Sequence, residues 1–175
     1  GLLRRQRQMC IRDSYNGDGI TSMHHNSAGT RISPTEIWES KNPWLINKIE
    51  LAKDSCGAGE FRGGLGLDLE FEMIEETFIT PVVESTKNPP SGRKAGKAGR
   101  ANTVQDVKKN GDKFFMPKKS GYKLDKGDKI IFLTGGGGGY GNPEFRKIEK
   151  IEYDLKQEYL SKKYVEENFK HFKFN

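Results

Sequence analysis

The sequence predicts an α+β protein: a β-rich body of antiparallel or mixed sheet, followed by a helical C-terminal tail. Three observations predict it. From Leu67 to Met73 the chain alternates strictly, with Leu67, Leu69, Phe71 and Met73 on one side and Asp68, Glu70 and Glu72 on the other. That is the pattern of a strand with one buried face. Glycine-dense stretches at 57–66 and 135–141 interrupt the chain where strands turn or cross. After Pro143 the apolar residues fall at three-to-four-residue spacing, the period of an amphipathic helix.

The elements follow in order. Residues 15–40 are polar and turn-rich, with Asn16-Gly17-Asp18-Gly19 and Ser33-Pro34 as breakers. Trp44 to Lys53 reads as a strand, Ile49 and Leu51 alternating with Lys48 and Glu50. Thr77 to Val83 is expected to continue the 67–73 strand or to form its hairpin partner, with Pro81 marking an edge or bulge. Residues 88–102 hold prolines, glycines and basic residues without apolar periodicity and read as a loop. Lys113 to Met116 and Lys129 to Thr134 read as strands, the second entered through the turn Asp125-Lys126-Gly127-Asp128. Asn142 and Pro143 supply an N-cap and first-turn proline for a helix carrying Phe145, Ile148, Ile151, Leu155 and Tyr159. Ser161 caps a second helix presenting Val165 and Phe169. The organisation expected is a tail at 1–14, a β-rich region at 15–142 and helices of the same domain at 143–175.

The chain has 175 residues, 31% charged and 33% hydrophobic, which suits one domain with a modest core or one shared with a partner surface. No unbroken apolar run exceeds Ile130–Leu133, so a transmembrane helix is excluded. The basic N-terminus is not followed by a continuous apolar stretch, so no secretory signal is expected. Two cysteines build no disulfide framework, and a cytoplasmic location is expected. The arginine-rich run from Arg4 to Ser14 resembles a translated transposase adapter of the kind used to prepare sequencing libraries. On that reading the native sequence starts near Tyr15 and is truncated on its N-terminal side. Without Arg4, Arg5, Arg7, Arg12 and Asp13 the formal net charge falls from +6 to +3, weak support for a polyanion partner.

Four motifs could carry chemistry. Asp54-Ser55-Cys56-Gly57 through Gly66 is rich in glycines that permit positive φ and close backbone approach, and suits an anion-binding nest or a strand crossing. Arg62 within it could clamp a carboxylate or phosphate, or pair with an acidic neighbour such as Asp54. Cys56 has no obvious base beside it. Thr134 to Pro143 has the strand–glycine–helix order of a phosphate loop but lacks its Lys-Ser/Thr, and a close-packed turn or a loop threading under a neighbouring subunit is favoured. His24 and His25, with Asp18 upstream and Glu36 and Glu39 downstream, could ligate a divalent metal, His24 being a weak candidate. Ser27 or Thr30 could position a substrate. Arg93 to Arg100 could track phosphates, but no aromatic is interleaved with it, so a solvated mobile loop is expected and no nucleic-acid partner.

The order of these motifs resembles the C-terminal part of the hydantoinase B/oxoprolinase family. The residues that carry it are Asn26-Ser27-Ala28-Gly29-Thr30, Pro34-Thr35-Glu36-Ile37 with Glu39 and Pro43, and Asp54-Ser55 through Arg62-Gly63-Gly64-Leu65-Gly66. Gly127-Asp128, Thr134, the glycine run and Tyr140-Gly141-Asn142-Pro143 complete the series. The family comprises the B-type subunits or domains of N-methylhydantoinases, 5-oxoprolinases and related acetone and acetophenone carboxylases. Cys56 stands where the family usually has glycine, and Gly135 where proline is common.

The resemblance implies part of an ATP-dependent enzyme that opens a cyclic amide such as hydantoin or 5-oxoproline; in the carboxylase branch the substrate is a ketone. A separate A-type subunit or domain hydrolyses ATP with Mg²⁺, and the B-type part completes the reaction within a hetero-oligomer. In the carboxylases the His and Asp metal ligands lie N-terminal to everything in this chain. No bound cofactor and an incomplete active site are therefore expected here. The resemblance places Asn26, Ser27, Thr30, Glu36, Asp54 and Arg62 near the substrate cleft or its support. The roles implied are hydrogen-bond positioning for the first three, loop ordering for Glu36 and Asp54, and anion contact for Arg62.

Overall fold

The computed structural model describes residues 17–21 and 34–174. A short helix, α1 (Thr35–Lys41), precedes the first strand. It falls where the sequence suggested only turns. Its first turn carries Glu36, and Asn42 ends it by donating from Nδ2 to the Trp38 carbonyl at 2.9 Å. Trp38 packs on Phe71 with ring centroids 5.9 Å apart, so tertiary burial, not helical propensity, holds this element.

Five strands form the main sheet in the order β1-β2-β7-β4-β5, every neighbour antiparallel. They are β1 (Trp44–Leu51), β2 (Leu67–Met73), β4 (Thr103–Val107), β5 (Lys113–Phe115) and β7 (Lys129–Leu133). A register shift between Ile46 and Lys48 bulges β1. β2 is the central strand its alternation implies. Phe71 faces Ile46 and Ile130 across the two ladders, and Glu70 faces Lys48 and Ile131 on the other side.

A second, two-stranded sheet pairs β3 (Thr77–Ile79) with β6 (Tyr122–Leu124). This corrects the expectation that 77–83 extends or pairs with the 67–73 strand. Both edges of β2 are already taken by β1 and β7, so the chain leaves the main sheet and finds its partner elsewhere. Phe71, Met73, Val104, Met116, Leu124 and Ile130 make the core between these layers. An apolar cavity of about 270 Å³ opens beside it, lined by Trp38, Trp44, Phe71, Met73 and Phe132 among others.

Runs 55–66, 91–100 and 134–141 form a different kind of interior. They lie side by side, joined by Gly57 N to Gly137 O at 2.7 Å, Lys97 N to Ala58 O at 2.7 Å and Gly139 N to Lys97 O at 2.8 Å. A Cβ on Gly57 would fall on the Lys97 carbonyl, one on Gly63 on that of Gly137, and one on Gly136 on that of Ser55. Positive φ is not their reason for being glycine; among the glycines of these runs Gly141 alone has it, at +77°. Close backbone approach is. The 91–100 stretch, expected to be a mobile solvated loop, is the third member of this glycine core.

The tail departs from one long helix. Pro143–Phe145 is a single 3₁₀ turn, capped by the Asn142 side chain accepting from Glu144 N at 3.1 Å. Arg146 and Lys147 are then extended, because the Arg146 side chain turns inward. Helix α2 (Ile148–Lys156) follows, and Tyr159 lies beyond its end. Helix α3 (Lys162–Asn168) begins as expected, with Ser161 Oγ accepting from Tyr164 N at 3.0 Å. Ile151, Leu160, Val165 and Phe169 cover Cys56, Ala58 and Leu65 of the glycine core, a second apolar cluster.

Candidate functional site

The densest chemistry in the described residues sits where the glycine core, the tail and residues 17–21 meet. Arg62 lies in the first glycine run, 6% exposed. Its Nε donates to Asp154 Oδ1 at 3.0 Å, its Nη1 donates to the Gly63 carbonyl at 3.1 Å, and its guanidinium stands 5.3 Å from the Tyr159 ring centre. Asp154 occupies the buried stripe of α2, one turn after Ile151. It is 1% exposed, so its charge requires partners. The second is Arg146, whose Nη2 donates to Asp154 Oδ2 at 2.6 Å.

Arg146 also grips Asp18 with both terminal nitrogens, at 2.6 and 3.1 Å. Lys150 Nζ approaches the same carboxylate at 3.6 Å. Burial alone would raise the Asp18 carboxyl, but the hydrogen bonds and charge of Arg146 and the charge of Arg62 hold it below the usual range. Two guanidiniums and two carboxylates thus neutralise one another inside the fold, with Arg146 stacked 5.9 Å from the Phe169 ring.

Arg62 is thus brought to an acidic partner, Asp154 and not Asp54, and its guanidinium is spent inside the fold. Asp54, left-handed at φ +59°, accepts from Ser161 N at 2.6 Å and fastens the start of the first glycine run to the start of α3. Glu36 lies exposed in the first turn of α1. Asn26, Ser27, Thr30 and His24 lie outside the described residues. Of the acidic groups weighed with His24 as metal ligands, Asp18 is held by Arg146, and Glu39 accepts from Ile46 N at 2.8 Å. Among the described residues no group of three His, Cys, Asp or Glu side chains could hold a metal ion.

The glycine run of 135–139 does not fit a nucleotide. It is buried, and its amides are donors within the protein: Gly135 to Asn102 Oδ1 at 2.6 Å, Gly137 to Gly64 O at 2.8 Å, Gly139 to Lys97 O at 2.8 Å. The basic stretch is likewise engaged. Arg100 donates to Asp68 at 2.6 Å, Lys97 to Asn168 at 2.8 Å, and Lys94 lies 5.5 Å from the Tyr140 ring centre. Cys56 is 2% exposed, and burial pushes its thiol up to about 11, the opposite of nucleophile activation.

Sequence reasoning missed Arg146 and Asp154. A signal existed: Asp154 stands in phase with Ile151 and next to Leu155, on the apolar face of the helix, and an acid there implies a buried cation. A second cluster was also missed. Asp106, fully buried on β4, accepts from Tyr122 Oη at 2.7 Å and pairs with Lys108 at 2.9 Å, while Lys108 also reaches Asp128 at 2.5 Å.

A sequence model of the family described as hydantoinase B/oxoprolinase matches residues 13–143. The chain belongs to the hydantoinase B/oxoprolinase family. A Methanocaldococcus jannaschii protein is 34% identical over 138 residues, covering 79% of this chain and 24% of that one. The caprolactamase subunit beta of Pseudomonas jessenii is 30% identical over 134 residues, covering 72% of this chain and 22% of the other. The crystal structure of the ATP-dependent caprolactamase from that organism aligns with TM-score 0.67 at 25% identity, over 75% of this chain and 24% of that chain. Nucleotide-free acetone carboxylase shares the fold, with TM-score 0.72 at 16% identity over 89% of this chain and 25% of its own. The chain therefore spans about a quarter of these proteins, and a tenth of a 5-oxoprolinase from Dictyostelium discoideum. Among the described residues no helix is long and apolar enough to cross a membrane.

Proposed function

We propose that this chain is the C-terminal region of the B-type component of an ATP-dependent, cytoplasmic enzyme that opens a cyclic amide. The substrate class is a hydantoin, 5-oxoproline or related lactam. ATP with Mg²⁺ is bound and spent on an A-type subunit or domain, and any divalent metal belongs to the part of the subunit that this chain does not span. The observation that carries the reading is the joint sequence and fold similarity to a caprolactamase. The chemistry is consistent with it: an amide resists hydrolysis until its oxygen is activated, which is what coupling to ATP supplies.

Within that enzyme the contribution of this region is architectural support. The glycine core, Asp54 and Arg62 supply that support. The test is to express the full subunit with its ATPase component and offer hydantoin, 5-oxoproline, caprolactam and acetone with bicarbonate. Ring opening that requires ATP and both components supports the reading. Carboxylation of acetone, with no lactam opened, favours the ketone branch, for which only a shared fold argues at present.

A further inference from the structure

We infer that the half-covered apolar face of the main sheet is a docking surface for the rest of the B-type subunit. Its occupant is an uncharged segment of branched and aromatic side chains from the part that this chain does not span. The inference rests on the proposed function, which makes this chain one region of a longer subunit. Side chains directly opposite one another across a ladder share a face. The row Ile49–Leu69–Phe132–Val104 therefore crosses four strands without a polar side chain, and Leu51 lies beside Leu67 next to it. Trp38 of α1, with Ile79 and Leu124 of the second sheet, packs on the Phe71 end of this face. The Leu51 end is left open: Ile49 is 36% and Leu51 38% exposed, and Leu67, Leu69 and Phe132 are half-buried. The opposite face is finished for water, its charges paired as Lys48 with Glu50 at 2.6 Å, Lys129 with Glu70 at 2.8 Å and Arg100 with Asp68 at 2.6 Å. An antiparallel sheet with one solvated face packs the other on a core.

The cavity of about 270 Å³ shares this face, since Phe71 and Phe132 line it. It falls below the usual small-molecule pocket of roughly 300–1,000 Å³, and such pockets carry polar groups that orient the ligand. Here the polar side chains Asn42 and Thr80 are already engaged, Asn42 Nδ2 donating to the Trp38 carbonyl at 2.9 Å and Thr80 Oγ1 accepting from Gly121 N at 3.2 Å. A side chain held by its own backbone needs no such orientation, so the cavity fits an aromatic or branched side chain of the docking segment. A face of this kind resembles a domain core cut in half, the mark of a permanent contact. The length of the relatives says where that half comes from. This chain corresponds to 22% of the caprolactamase subunit beta and 24% of the Methanocaldococcus jannaschii protein, so most of such a subunit lies beyond it. Within the chain itself, the stretch 22–33 offers Met23, Ala28 and Ile32 among His24, His25, Arg31 and small polar residues, too little apolar surface to cover the row.

The experiment places the photo-cross-linker p-benzoylphenylalanine at Leu51, and as a control at Lys48 on the solvated face, in the full subunit assembled with its ATPase component. After irradiation, peptide mapping is expected to join position 51 to residues of the same subunit outside this chain, and position 48 to none of them. Links from position 51 confined to this chain, to a second copy or to the ATPase component, or no link at all, would overturn the inference. Leu51→Lys gives an independent reading. Under a protein cover it buries a charge without a partner, and the thermal midpoint of the full subunit should fall by several degrees; Lys48→Ala should leave it unchanged. A wild-type midpoint in Leu51→Lys would mean that water covers the face, and would overturn the inference too. Neither reading uses turnover. A subunit that opens no cyclic amide defeats the proposed activity, while the cross-link and the midpoint still decide the docking.

Discussion

Arg146 and Asp18 stand 128 residues apart in the chain and are joined by two hydrogen bonds, of 2.6 and 3.1 Å, between one guanidinium and one carboxylate. The pair closes the fold, tying residues 17–21 to the turn before α2. Its carboxyl is held below its ordinary value, which has a consequence for acid stability. A depressed carboxylate contributes stability above its unfolded pKa of about 3.9, and that contribution is lost as pH falls through the folded value. Urea unfolding should show Asp18→Asn less stable than wild type at pH 7 and nearly equal to it at pH 2. Equal destabilisation at both pH values would mean that the charge contributes nothing.

Asp154 is the carboxylate between the two arginines, and replacing it leaves both guanidiniums buried with one partner fewer. Breaking a buried pair of this kind costs about 3–5 kcal/mol. Asp154→Ala is expected to unfold that much more readily in urea, whereas exposed Lys48→Ala, whose pair with Glu50 lies in solvent, should be close to neutral. Similar losses at the two sites would contradict the assignment of the interior network.

The glycine core makes its own prediction. Gly136→Ala places a methyl on the Ser55 backbone, where no side chain can swing aside. Overpacking costs roughly 1–3 kcal/mol where neighbours can yield, and here the neighbour is backbone, so a loss at or beyond that range is expected. Gly17→Ala meets nothing within 4 Å and should change stability by less than about 0.5 kcal/mol. Thermal denaturation of the two variants side by side measures the contrast.

Cys56 packs beneath α3, and its carbonyl accepts from Tyr164 Oη at 2.6 Å. With the thiol pushed up to about 11, iodoacetamide at pH 8 should leave Cys56 unmodified in the native protein and label it after denaturation. Peptide mapping reads the result. Rapid native labelling at Cys56 would mean that the glycine core opens more readily than its hydrogen bonding implies.

The main strands were legible where one physical rule dominated. β2 runs from Leu67 to Met73, where the alternation placed it, and Ser161 caps α3, because a short polar side chain before a helical stripe has few other uses. β4 was not legible. Its Thr-Val-Gln-Asp-Val places Asp106 on the buried face, which reads as polar until Tyr122 arrives from elsewhere in the chain and Lys108, just past the strand, folds back on it. The long tail helix was over-read, since Phe145 fits the apolar spacing yet lies 69% exposed on a 3₁₀ turn. Glycine spacing announced close approach but not the neighbour, so the joining of 91–100 to the other two runs could not be foreseen. The order of motifs was the informative signal for function. It pointed to the family before any single residue pointed to a site.

The most direct test of the account is to count ADP formed against cyclic amide opened, using the full subunit that contains this chain and its ATPase component. The account expects ADP and ring-opened product in equal amounts, with neither component opening the ring alone. Ring opening that persists without ATP, or a B-type component that opens it unaided, would contradict it.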